Sequence, residues 1–361
     1  MVFLIKSVEL NNRNNSLNFL RLIFATFVLV WHSFHMLSIN VYDYLPYSVG
    51  YLLSLAVPMF FVVSGYLITA SAIKNDFKTY FKKRLARIYP AYFLCIVLII
   101  VFFAPVVFFV ANGYFNLFDY IYQDDSPIKF FIFNLPLIYI KPNIGHTLSF
   151  IGLDHWNGST WTILFEFCCY IGIMLIVFLL IKIRIKKNNF PKLIFGIYLL
   201  LILFSLFYPK VDNLPIEKFN WIVYGAYFFS IFLGGSFVYL IKDKIEFSSI
   251  KTMLVSFIFC IFVMAFLPSY WAIEISAIPM TYIILSLSMM IKSPKFIQKN
   301  DISYGVYLYA WPTQVFVACI IKSFGVSINV WCYMVISWII TCGFAAFSWF
   351  LLEKPILNKV R

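Results

Sequence analysis

The chain carries ten long apolar runs, separated by short segments that hold most of its charge. They fall near residues 17–39, 48–73, 89–111, 161–181, 193–208, 220–241, 252–268, 273–291, 303–321 and 330–352. Most are close to the roughly 20 residues that a helix needs to cross a bilayer. A backbone in hydrocarbon must bond its own polar groups, so such runs are expected as helices. Only 12% of the 361 residues are charged and 63% are hydrophobic, against about 25% charged in a soluble domain. A soluble enzyme, a disordered chain and a disulfide-stapled miniprotein are excluded. The expected fold is an all-α, polytopic integral membrane protein of about ten transmembrane helices, forming one integral membrane domain over residues 1–361. The first run is too long and too charged for a signal-peptide core and lacks a small-residue cleavage site after it. Cys95, Cys168, Cys169, Cys260, Cys319, Cys332 and Cys342 all lie inside apolar runs. They read as small hydrophobes, with no disulfide or metal spacing.

The direction of threading follows from the basic residues. With the N-terminus inside, 22 of the 28 Lys and Arg fall in inner segments and 5 in outer ones; Arg21 lies within a span. Under the positive-inside rule this places both termini in the cytoplasm. The same clustering explains the net charge of +13 without a nucleic-acid partner. The longest outer segment, 112–160, contains the short apolar piece Phe130–Ile140 with Pro136. It is too short to span and reads as a re-entrant or interfacial element.

Ionisable groups in hydrocarbon are costly and are functional candidates by default. Arg21 and His32 share the first run, eleven residues apart, which is about 20° from three full helical turns and about 16 Å along the axis. They occupy one face, extended by Asn18 and His35. Glu166 lies about five residues from the outer end of its run and His32 about seven, so both sit roughly 8–11 Å below the outer interface. Matched depth permits a histidine–carboxylate pair, in which the carboxylate orients the ring. His35 reads as an interfacial hydrogen-bonder, His146 and His155 as loop residues, and Glu274 and Glu353 as interfacial groups at helix ends. No spacing of His, Cys and carboxylates forms a metal motif.

The segment Lys74–Pro90 reads as an inner loop. Arg84 and Arg87 within it are spaced i, i+3 and share a face if the piece is helical. Two guanidinium forks side by side suit a phosphate. A topology anchor touching anionic lipid is the competing reading.

Read in order, these segments resemble the membrane-bound acyltransferase family 3, the bacterial polysaccharide O-acetyltransferase group. Arg21 and His32 are similar to its Arg-x10-His element. Val57-Pro-Met-Phe-Phe-Val-Val-Ser64-Gly65 resembles its Phe-Phe-x-x-Ser-Gly run, and Arg84-Leu-Ala-Arg87-Ile-Tyr-Pro90 its Arg-x-x-Arg-x-x-Pro motif. Gly158-Ser-Thr-Trp161-Thr-Ile-Leu-Phe-Glu166 resembles its Gly-x-x-Trp-x-x-x-x-Glu segment. Ser303-Tyr304-Gly-Val-Tyr307-Leu-Tyr-Ala310-Trp311-Pro312 resembles its Ser-Tyr-x-x-Tyr-Leu-x-His-x-Pro segment, and Glu353-Lys354-Pro355 its ending. Ala310 departs from the pattern, standing where the family usually has histidine, so no role for that side chain carries over.

The resemblance implies transfer of an acyl group, usually acetyl, from cytoplasmic acyl-CoA to a hydroxyl of a glycan on the outer side of the cell (cytoplasmic or inner) membrane. Acyl-CoA would be a co-substrate, with no bound cofactor. Arg84 and Arg87 would hold CoA phosphates, and Arg21 would line the donor channel. His32 would be the general base, with Glu166 as its candidate partner. Asn18, Ser64, Trp161, Ser303, Tyr304 and Tyr307 would support the site. The expected partners are acyl-CoA, a glycan and the bilayer. A transporter or flippase of a lipid-linked sugar is the alternative; it would show two related halves with broken helices, and no such internal symmetry is found. A polysaccharide polymerase would favour an arginine-rich outer loop, but 112–160 has only Lys129 and Lys141.

The threading can be tested with single cysteines after replacement of the seven native ones. A cysteine in Lys74–Lys83, such as Lys78→Cys, should resist an impermeant thiol reagent added outside. Asn116→Cys or Asn213→Cys should react. The reverse pattern would overturn the orientation.

Overall fold

The computed structural model describes residues 15–138, 140–145, 147–205 and 217–360. Lys6, Arg13, His146, Lys210, Asn213 and Arg361, used in the sequence reading, lie outside the described residues. Among the described residues every regular element is a helix, and nine are long and apolar enough to cross a bilayer. The run at 252–268 forms the 17-residue helix Ile250–Phe266, at the lower end of spanning lengths. The chain is an all-α polytopic membrane protein.

Three segments differ from the sequence reading. The second apolar run is two helices, Tyr47–Ser54 and Ala56–Lys74, parted at Leu55. Pro58 falls in the first turn of the second helix, where a missing N–H costs nothing. The expected inner loop is almost entirely helical: only Asn75 and Asp76 separate Lys74 from the helix Phe77–Leu98, which contains Arg84, Arg87 and Pro90. Asp76 starts that helix, its Oδ2 accepting the Thr79 N–H at 3.2 Å. Hydrogen bonds from Thr79 hold the Asp76 carboxyl below its ordinary range. A carboxylate there also offsets Lys78, which is poorly placed at the positive end of a helix. The piece read as Phe130–Ile140 is the eight-residue helix Pro127–Asn134, capped by Ser126. Asn134 then turns the chain, its Oδ1 accepting the N–H of Ile140 at 3.1 Å and of Lys141 at 3.2 Å.

The fold divides into two compact units. The first holds the described part of Met1–Arg21 with Leu55–Phe81 and Phe165–Lys299. Its core is a crossing of Ala56–Lys74 against Glu217–Ile241. A Cβ on Gly65 would stand 1.9 Å from the Phe232 carbonyl oxygen, and one on Gly235 would stand 2.0 Å from the Val62 carbonyl oxygen. Two backbones therefore touch directly, the kind of approach that small residues allow between membrane helices. Gly234 packs tightly in the same way on Ala277 of the helix Ser269–Met290.

The second unit holds Leu22–Ser54, Lys82–Leu164 and Asn300–Arg361. The helix Ser303–Ser323 is its most enclosed element. Hydroxyls reach out from it to neighbouring backbone: Tyr304 to Ile88 O at 3.2 Å, Tyr309 to Ala91 O at 3.1 Å, and Tyr307 to Ser159 O at 3.0 Å. Two helices here contain a wider turn, at Ile99–Phe103 and at Trp349–Glu353.

The glycine crossing predicts a sharp contrast. Gly65→Ala and Gly235→Ala put a methyl into backbone, which no rotamer change relieves; overpacking of this kind costs about 1–3 kcal/mol or more. Both should lower the melting temperature in detergent and the yield of folded protein. Gly196→Ala and Gly343→Ala, with nothing within 4 Å of the added carbon, should leave both unchanged.

Candidate active site

The first span is one continuous helix, Leu17–Met36, so Arg21 and His32 do share a face. His32 packs edge-on against Trp311, with ring centroids 4.7 Å apart, and His35 lies 5.8 Å from the same ring. Trp311 is itself fixed: its indole N–H donates to the His155 carbonyl at 2.9 Å. Gly158 makes room for it, because a Cβ there would stand 2.5 Å from the indole. One turn further along the same helix, Gln314 donates to Leu29 O at 2.9 Å and to Ser33 Oγ at 2.6 Å. The helix carrying His32 is thus bound to Ser303–Ser323 on both sides of the imidazole. Nδ1 of His32 is closed off from solvent and has no hydrogen-bond partner among the described residues. His35, by contrast, is exposed.

Glu166 lies in the second turn of the helix Trp161–Lys182. Its Oε1 accepts hydrogen bonds from Ser64 Oγ at 2.9 Å and from the Tyr170 hydroxyl. Ser64 is buried next to Gly65, at the glycine crossing, so the tight backbone approach sets its position. Arg21 sits over the Phe60 ring at 6.0 Å. Asn18, one turn before it, is partly exposed.

Arg84 and Arg87 lie on one face of the helix Phe77–Leu98 and are both partly buried. Arg87 Nη2 pairs with Asp301 Oδ2 at 2.7 Å, and its guanidinium lies 5.7 Å from the Tyr304 ring centre. The other Asp301 oxygen accepts from Ser303 Oγ at 2.5 Å and from the Ser303 N–H at 3.3 Å, holding the start of Ser303–Ser323. Ser303 and Tyr304 therefore tie that helix to the basic turn. Tyr307 binds Thr162 and Ser159 just after and before Trp161, the first residue of its helix.

Two interfacial assignments are corrected. Glu274 and Glu353 are fully buried. Glu274 Oε1 accepts from Ser230 Oγ at 2.6 Å, and Glu353 Oε1 accepts from Ser348 Oγ at 3.0 Å. Each carboxyl turns inward because a neighbouring hydroxyl supplies a donor there, which a buried polar group requires. Three residues with clear parts in the geometry went unassigned from sequence: Tyr170, Asp301 and Trp311. Tyr170 is marked by its spacing from Glu166, since i, i+4 pairs meet on a helix. Asp301 is not, because its partner is more than two hundred positions away.

A family model described as "Acyltransferase domain" matches residues 14–352. The chain is 27% identical over 361 aligned residues to the "O-acetyl transferase" of Shigella phage Sf6, covering 96% of this chain and 97% of that protein. It is 24% identical over 290 aligned residues to "Putative acetyltransferase ORF330" of Acidianus two-tailed virus, covering 76% of this chain and 77% of that protein. No solved structure matches. An all-helical membrane chain matched by one family model over nearly its whole length belongs to the acyltransferase-domain family and is an acyltransferase.

Proposed function

We propose that the protein is a membrane O-acetyltransferase. It takes an acetyl group from acyl-CoA at the cytoplasmic face and transfers it to a hydroxyl of a cell-surface glycan on the outer side of the cytoplasmic membrane, with both termini inside. The family match supports acyl transfer, the phage relative's name supports acetyl and an oxygen acceptor, and the basic-residue bias supports the orientation.

The observation that carries the reading is His32. A buried polar atom left without a partner costs about 1–3 kcal/mol, and such atoms call for an explanation that includes catalysis. His32 is held by Trp311 through ring packing, and its Nδ1 has no hydrogen-bond partner among the described residues. As general base it accepts the proton of the acceptor hydroxyl while that oxygen attacks the thioester carbonyl carbon. The carbon–sulfur bond then breaks, and the imidazolium returns the proton to the CoA sulfur. Glu166 is the second ionisable group of the reaction. Arg84 and Arg87 bind the donor phosphates, with the planar fork of Arg87 oriented by Asp301. Arg21 serves the donor path.

Radiolabelled acetyl-CoA supplied to membranes of a strain carrying the protein should label the glycan fraction, and membranes lacking it should not. His32→Ala should insert normally and lower labelling by about 10²–10⁴-fold. Normal labelling in His32→Ala would end the base assignment.

Both arginines should matter for the donor. Arg84→Ala should raise the acetyl-CoA Kd about 10- to 150-fold, the value of a charged hydrogen bond. Arg87→Ala should raise the Kd and also lower the melting temperature, since it strands Asp301. Wild-type donor affinity in the double variant would refute phosphate binding.

A further inference from the structure

Glu166, a carboxylate in a membrane helix, is held by two neutral hydroxyls. A carboxylate has two oxygens and about four acceptor sites. Here two neutral hydroxyls, Ser64 and Tyr170, converge on Oε1, and neither donates to Oε2. The donors come from different directions. Tyr170 is one turn along the same helix, while Ser64 is on Ala56–Lys74. A carboxyl group gripped at one oxygen from two sides loses its rotation about the terminal torsion, which is otherwise broad. Both donors are fixed in turn. Ser64 adjoins Gly65, whose helix touches the backbone at Phe232. The Tyr170 backbone carbonyl accepts the Tyr80 hydroxyl at 2.7 Å, and both tyrosines are buried.

Neutral hydroxyls leave the partly buried carboxylate its charge, which an arginine or lysine partner would offset. With both donors on Oε1, Oε2 keeps its acceptor sites. We infer that Ser64 and Tyr170 are positioning residues for the acyltransfer reaction, clamping Glu166 through Oε1 and fixing the orientation of its carboxylate. The inference rests on the proposed role of Glu166 in catalysis. It adds Tyr170, and gives Ser64 a defined task.

The test measures transfer from radiolabelled acetyl-CoA into the glycan fraction of membranes, at saturating and at limiting donor. Glu166→Gln sets the reference. Tyr170→Phe keeps the ring and its packing and removes one donor; Ser64→Ala removes the other. Each should lower the saturated rate about 10- to 150-fold, the value of a hydrogen bond to a charged group. The half-saturating acetyl-CoA concentration and the melting temperature should stay unchanged. The deciding arm is the double variant. Residues that act only through Glu166 cost nothing further once it is changed, so Tyr170→Phe in the Glu166→Gln background should match Glu166→Gln alone. A further drop in the double variant would show that Tyr170 acts elsewhere and would overturn the clamp. So would wild-type rates in both Tyr170→Phe and Ser64→Ala while Glu166→Gln is impaired. Wild-type rates in Glu166→Gln itself would instead remove Glu166 from the reaction and the clamp with it, while leaving His32 untouched.

Discussion

A polypeptide inside hydrocarbon has no water to complete its hydrogen bonds. Nearly everything in this structure answers that condition. The backbone is helical wherever it crosses. Hydroxyls that face the interior fold back onto the preceding turn, as Ser33 does on Leu29 O at 2.9 Å and Thr281 on Ala277 O at 2.6 Å. Tyrosines reach across to carbonyls on other helices. Even the two buried glutamates outside the proposed site take a serine donor. The condition is not met everywhere: Nδ1 of His32 shares its lack of a partner among the described residues with buried hydroxyls such as those of Thr69, Ser286 and Thr341.

The condition also separates two ways of holding helices together. In the first unit, contact is made by removing side chains: Gly65 and Gly235 let one backbone rest on another, and the crossing depends on van der Waals contact. Elsewhere in both units, contact is made by long side chains that bridge to backbone or to each other: Tyr80 and Tyr198 in the first unit, Gln314, Tyr304, Tyr309 and the Arg87–Asp301 pair in the second unit. The first way is intolerant of added volume and the second of lost donors. Ser64 belongs to the first scheme and Arg87 to the second, so the proposed catalytic carboxylate and the proposed donor site depend on different physical supports.

Much of this was legible in the sequence. Run length and composition point to an all-helical membrane chain, and the eleven-residue spacing of Arg21 and His32 places both on one face of a single helix. The start of the third long helix was misread, because hydropathy ends where Lys82, Lys83 and Arg84 begin while the capping signal at Asp76 lies further upstream. Burial of Glu274 and Glu353 was missed because it is decided by which neighbour offers a hydroxyl, Ser230 in one case and Ser348 in the other. The Arg87–Asp301 pair joins segments distant in sequence, and no local pattern reports it. Tyr170 was within reach of a helical wheel but carried no charge to draw attention.

The wheel itself fails at two places. The wider turns at Ile99–Phe103 and Trp349–Glu353 each take in one residue more than an α-helical turn does. Every residue beyond such a turn is rotated by about 100° from where a regular helix would put it. Glu353 closes the second of these turns, so its inward orientation belongs to the offset register. Sequence variation can act on that register directly: loss of a single residue within either turn would restore regular winding and swing the whole following segment, Ala104–Asn112 or Lys354–Val360, onto a different face without altering any residue in it.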